Sequence, residues 1–239
     1  MLFDLFSNGF TREALISILL SIPVILFALT IHECSHGYAA KLMGDPTAYN
    51  LGRLTLNPSK HLDPIGTLMM LIFGFGWAKP VPVNTRYFKK PKAGMIITAV
   101  AGPLSNFITG YLCYVISFVL YRFTDMHYMF PFGAYTRVAI PGFGAVDYVF
   151  MTLYLLFYMG YVMNLGLALF NLLPVPPLDG SRILFAVLPA RYYFGMMRYE
   201  RYVSLVLMLL LFTGVLTRPL GIALDGIEDL FKMSVSWLG

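Results

Sequence analysis

Apolar residues run almost unbroken from Leu15 to Ala40, from Gly94 to Tyr121 and from Tyr148 to Leu173, with a shorter run from Tyr202 to Leu216. Each of the first three exceeds the ~20 residues that carry an α-helix across ~30 Å of hydrocarbon. None shows the two-residue alternation of a barrel strand, so the pattern predicts spanning helices, about four in all. A further run, Ile65 to Trp77, is short and broken by Gly74 and Gly76. That suits a re-entrant segment better than a crossing.

The connecting stretches carry their own signals. Thr11 is a candidate N-cap for the first helix, after an amphipathic lead-in from Met1, and Gly44-Asp45-Pro46 stops it. Tyr49 to Asn57 reads as one or two short strands with turn signals at Asn50, Gly52 and Asn57-Pro58. Lys79 to Asn84 contains Pro80 and Pro82 and is expected to be extended. Met126 to Gly144 reads as an aromatic loop and Arg191 to Arg201 as a basic linker. Ile222 to Leu238 sets Leu224, Ile227, Leu230 and Phe231 against Asp225, Glu228, Asp229 and Lys232, the pattern of a helix lying on a membrane surface. No internal repeat is present. The expectation is one integral-membrane domain over residues 1–239, with a core at about 15–190 and an extra span and interfacial helix over 202–239.

Composition strengthens the membrane reading. Hydrophobic residues make up 58% of the chain and charged residues 12%, with a mean hydropathy of +0.72. A soluble domain carries about 25% charged residues. The first run lacks a basic leader and a small-residue cleavage site, so it is not expected to be a cleaved signal. Cys34 and Cys113 are isolated thiols and imply no disulfide framework. The net charge of +5 has no basic segment interleaved with aromatics, which argues for membrane topology and against nucleic acid as a partner.

Inside the first apolar run stands His32-Glu33-Cys34-Ser35-His36. Four residues apart on a helix, the two imidazoles share a face. That spacing suits two nitrogen ligands on one Zn²⁺, with Glu33 placed to take a proton from water. Ionisable groups at bilayer depth are costly unless they face an interior or a wet cavity, which marks the cluster as functional. Cys34 is turned away from both imidazoles and reads as a packing residue. His61 and His127 fit no ligand pattern and read as interfacial or loop histidines.

A zinc site needs a third protein ligand, commonly His, Glu or Asp. Asp179, at the proline-broken end of the third run, reaches the leaflet of His32 and His36 only if Ile65–Trp77 fails to cross. The charges agree. On that topology Lys41, Arg53, Lys60, Lys79, Arg86, Lys89, Lys90, Lys92, Arg182, Arg191, Arg198 and Arg201 share one side, leaving Arg12, Arg122, Arg137, Arg218 and Lys232 on the other. The richer side is cytoplasmic by the positive-inside rule, which puts the site toward the cytoplasm and both termini outside.

His32-Glu33-Cys34-Ser35-His36-Gly37, followed far downstream by Asn171-Leu172-Leu173-Pro174-Val175-Pro176-Pro177-Leu178-Asp179-Gly180, resembles the site-2 protease family of intramembrane zinc metalloproteases. Gly52-Arg53-Leu54-Thr55-Leu56-Asn57-Pro58, Gly76-Trp77-Ala78-Lys79-Pro80-Val81-Pro82-Val83-Asn84 and Ala101-Gly102-Pro103-Leu104-Ser105-Asn106 support it, and the short bacterial branch is the nearer match. The resemblance implies His32, His36 and Asp179 as ligands to one Zn²⁺ and Glu33 as general base. It further implies a three-helix catalytic core and a membrane-embedded hairpin that engages substrate as an added strand. Asn171 corresponds to a residue that donates to the scissile oxyanion, with helix C-capping as its other reading. Asn106 fits either hairpin support or helix packing. Ser181 stands where the family often has a second glycine, and no PDZ or CBS domain is evident.

The implied activity is hydrolysis of peptide bonds in or near transmembrane segments, with a membrane protein or peptide as substrate and the bilayer as surroundings. Two other classes compete. A metal transporter would need a series of intramembrane ligands, and the chain offers none beyond the cluster. A silent scaffold would not need Glu33 in register with the histidines.

Overall fold

The computed structural model describes residues 12–73, 76–122, 124, 144–187 and 198–238. The lead-in to Thr11, most of the Met126–Gly144 loop with His127, and most of the Arg191–Arg201 linker lie outside the described residues. Helix α1 covers Arg12–Leu42, α2 Thr47–Asn50, α3 Pro64–Phe73 and α4 Pro91–Arg122; α5 covers Ala145–Asn171, α6 Asp179–Val187, α7 Glu200–Phe212 and α8 Thr217–Val235. Among the described residues three helices are long and apolar enough to cross a membrane: Ile18–Leu42 within α1, then α4 and α5. These three pack on one another and form the centre of the molecule. The expected fourth span is α7, and its 13 residues reach only about 20 Å, short of a hydrocarbon core.

Helix α1 ends as its sequence suggests. Gly44 takes a left-handed φ of 109°, and the Asp45 N–H bonds the Ala40 carbonyl at 2.9 Å, closing the orphan carbonyls of the last turn. The buried Asp45 carboxylate then does two jobs. Its Oδ1 accepts from the Thr47 N–H at 2.9 Å and starts α2, while its Oδ2 accepts from the Asn84 N–H at 2.6 Å. The end of α1 is thereby tied to the extended segment before α4.

The expected β-hairpin is replaced by other structure. Among the described residues there is no strand, only an isolated antiparallel bridge between Leu62 and Ala78. Tyr49 and Asn50 belong to α2, and the rest of Tyr49–Asn57 is turns. The N–H groups of Asn50, Leu51, Gly52 and Arg53 donate to the carbonyls of Pro46, Thr47, Tyr49 and Ala48, which supplies backbone partners locally and removes the need for a strand neighbour. Pro80 and Pro82 lack the N–H groups that a ladder beside them would require.

The short run does turn back on itself. Helix α3 has 10 residues, about 15 Å of rise. Its two flanks meet at the Leu62–Ala78 bridge, beside which the Lys79 N–H donates to the His61 carbonyl at 2.8 Å. Gly66 permits this closure, since a Cβ there would lie 2.1 Å from the Trp77 carbonyl oxygen. Arg53 adds a clamp, donating to the carbonyls of Lys79 and Pro80 at 2.8 and 3.2 Å.

Helix α8 packs part of its apolar face on the protein. Phe231 and Val235 are buried among Tyr111 and Tyr114 of α4 and Tyr158 and Tyr161 of α5. The periodicity of α8 predicts an apolar face; Phe231 and Val235 enter a tyrosine groove formed by two helices distant in sequence, while Ile222, Leu230 and Met233 stay exposed.

Candidate metal centre

His32 and His36 sit one turn apart on α1, and Asp179 opens α6 after the proline turn that ends α5. All three are buried. The Nε2 atoms of the two histidines lie 3.0 Å apart, and Asp179 Oδ2 lies 3.1 Å from each. Among the described residues, these three form the group able to hold a metal.

The other ring nitrogens decide what that triangle is. His32 Nδ1 lies 2.6 Å from Asn106 Oδ1, and His36 Nδ1 lies 2.7 Å from the Thr98 carbonyl. Both partners accept, so both Nδ1 atoms carry the proton and both Nε2 atoms present lone pairs. Two lone pairs and a carboxylate oxygen at this separation repel unless a cation lies among them. Tetrahedral zinc ligands at ~2.0–2.1 Å from the ion stand about 3.3 Å from one another, close to the triangle observed. The donor set and its spacing fit zinc.

Helix α4 frames the two imidazoles through Thr98, Gly102 and Asn106, spaced by four and therefore stacked along one stripe. The outer two receive the Nδ1 protons. Gly102 makes the approach possible: a Cβ there would lie 2.4 Å from His36 Nε2 and 2.8 Å from His32 Cε1. Gly180 plays a similar part for Asp179, since a Cβ would lie 2.3 Å from the Leu172 carbonyl oxygen and push α6 away.

Glu33 stands next to the triangle in sequence but outside it. Its Oε2 accepts the Val81 N–H at 2.8 Å, which ties it to the extended segment after α3. Asn171 is not drawn into the ligand group either; its amide donates to the Leu167 carbonyl one turn back, at 3.0 Å. Cys34 is buried and donates to the Thr55 carbonyl at 2.7 Å, consistent with packing. His61 lies in the turn before α3 and is fully buried. Its Nε2 lies 2.8 Å from the same carbonyl and holds the turn after α2 against α1. A cavity of about 250 Å³ opens between Val81 and Val83, the first turns of α4 at Thr98, and Pro176, Pro177 and Ser181.

Sequence reasoning saw Asn106 without its role and missed Thr98 as a backbone acceptor. The four-residue spacing of Thr98, Gly102 and Asn106 was the available signal: a polar–small–polar stripe inside an apolar helix.

Comparison with known proteins gives a consistent picture. The sequence model for peptidase family M50 matches residues 20–215. YwhC of Bacillus subtilis (strain 168), which bears the name of a zinc metalloprotease, is 37% identical over 212 residues, covering 87% of this chain and 89% of its own length. Zinc metalloprotease MJ0392 of Methanocaldococcus jannaschii is 30% identical over 179 residues, 75% of this chain and 36% of that protein. No solved structure matches the chain.

Proposed function

The chain belongs to peptidase family M50 and is a site-2-type intramembrane zinc metalloprotease; within it, we propose that His32, His36 and Asp179 hold one zinc ion and that Glu33 is the general base. The observation that carries the ligand assignment is the triangle of 3.0–3.1 Å whose two histidines already spend their Nδ1 protons elsewhere. Zinc held there supplies Lewis acidity, bringing the pKa of water toward ~7 and polarising the scissile carbonyl.

The protein's own groups supply the rest. Glu33 takes a proton from the attacking water and returns one to the departing amine as the C–N bond breaks. The Val81 N–H steadies Oε2, which leaves Oε1 to carry the proton. Asn171 uses one amide hydrogen on Leu167, and its second hydrogen donates to the developing oxyanion.

The substrate is a transmembrane segment that unwinds locally, because a helical peptide carbonyl is hydrogen-bonded and covered. The cavity beside Val81 and Val83 receives the extended peptide, in the manner of an added strand. The Leu62–Ala78 closure supports a topology in which α3 returns to the side it left. With α1, α4 and α5 as the crossings, the site faces the cytoplasmic half of the cell membrane and the N-terminus lies outside; an outer C-terminus needs α7 and α8 together to make the return, α7 alone being too short.

The test uses purified wild type, Glu33→Ala and Asp179→Ala, each assayed for bound zinc and for cleavage of single-span substrates. Glu33→Ala is expected to keep one zinc per chain and lose about 10²–10⁴-fold in turnover. Asp179→Ala is expected to lose the metal. Wild-type turnover by Glu33→Ala sinks the general-base assignment, and normal zinc content in Asp179→Ala sinks the third ligand.

A further inference from the structure

The hydrogen bonds behind His32 do not stop at Asn106. Asn106 is fully buried, as is Asn164 on α5, and each amide is satisfied in one orientation only. Asn164 Nδ2 donates to the Gly160 carbonyl at 2.8 Å, which turns its Oδ1 toward α4. That oxygen accepts from Asn106 Nδ2 at 2.8 Å, and the same Nδ2 donates to the Ala28 carbonyl at 3.0 Å. With both its hydrogens committed, Asn106 must present Oδ1 to His32 Nδ1 at 2.6 Å.

We infer that Asn164 is a positioning residue for the metal site: through Asn106 it fixes the tautomer of His32, so that Nε2 always offers a lone pair to the metal. This rests on the ligand assignment above and extends it to a residue on a third helix. Each bond in the relay has one possible direction. The Gly160 carbonyl can only accept, so Asn164 must donate there; Asn164 Oδ1 must then accept, and Asn106 Oδ1 must accept from His32. Flipping Asn106 would set its Oδ1 against the Ala28 carbonyl and Asn164 Oδ1, and flipping Asn164 would set its Oδ1 against the Gly160 carbonyl and its N–H against that of Asn106. At this depth no bulk water is present to repair such an error, so the relay holds its polarity. Partners behind metal-binding histidines commonly govern metal affinity by 10–100-fold.

The relay is tested in the full-length protein in nanodiscs, by zinc affinity against a competing chelator and by ¹⁵N spectra of His32 in the metal-stripped protein. Asn106→Leu is expected to weaken zinc by about 10–100-fold and to mix the His32 tautomers. Asn164→Leu should weaken zinc by about 3–10-fold, with partial mixing, because the Ala28 carbonyl still holds one hydrogen of Asn106. Asn164→Asp is the conservative control. Burial favours its protonated form, whose hydroxyl donates to Gly160 while its carbonyl accepts from Asn106, so zinc affinity and a single Nδ1–H tautomer should persist. Leu variants with unchanged affinity overturn the relay, as does an Asn164→Asp variant with disturbed tautomers. If the Leu variants do not fold, the Asp variant alone decides. A wild type that takes up no zinc would overturn the ligand assignment instead, a separable result.

Discussion

Helices α4 and α5 are packed at two levels, and the two levels are built by different rules. Toward the site they meet α1 through Thr98, Gly102, Asn106 and Asn164, groups that are small or polar and whose contacts are directed hydrogen bonds. Further along they meet α8 through Tyr111, Tyr114, Tyr158 and Tyr161. There the rings of Tyr114 and Tyr161 stand 5.1 Å apart edge to face, and Phe231 packs 4.9 Å from Tyr111 and 5.4 Å from Tyr114. Aromatic bodies fill volume and tolerate small rearrangements at a cost of ~1 kcal/mol per ring pair. A directed network tolerates none, because a misplaced donor leaves two groups unpaired. One level specifies atoms; the other specifies shape.

That contrast is open to direct attack. Gly102→Ala adds a single methyl at the site level, at 2.4 Å from His36 Nε2. Zinc affinity is expected to fall by about 100-fold or more with the helical content intact, as read by metal titration and circular dichroism. Near-normal zinc binding would show that the site level is softer than its hydrogen bonds imply. At the aromatic level, Phe231→Ala removes a whole ring and should cost about 3 kcal/mol of stability in denaturant titration, yet leave zinc affinity within about twofold. A matching loss of zinc would mean the two levels are one cooperative unit. The smallest effect is expected from Tyr161→Phe, which deletes the 3.1 Å hydrogen bond to Glu228. Glu228 keeps its 3.1 Å ion pair with Lys232, so the loss should be about 1 kcal/mol, with catalysis unchanged.

The two levels were also unequally legible in the sequence. His32, Glu33 and His36 announce themselves because charge is scarce in an apolar run, and a spacing of four needs only a helix to become geometry. Asp179 could be brought to them by topology alone. Asn164 could not: it lies 58 residues from Asn106, with nothing local to distinguish it from a polar helix-packing residue. Turn signals make Tyr49–Asn57 look like short strands, whereas Asn50 to Arg53 bond back to the carbonyls of residues 46–49 as helix and turn. The apolar face of α8 was visible in its periodicity, but its destination depends on tyrosines of two other helices. A pattern along one helix reports which face is buried and is silent about the surface that buries it.

The proposed metal ligands are far apart in the chain, His32 and Asp179 being 147 positions from one another. At ~5–20 residues per second of synthesis, the helix bearing Glu33 enters the membrane about 7–30 s before its last ligand exists. A ribosome that stalls in that interval leaves behind a two-histidine helix without the carboxylate that completes the site. The order of the sequence thus delays completion of the site until about three-quarters of the chain has been made.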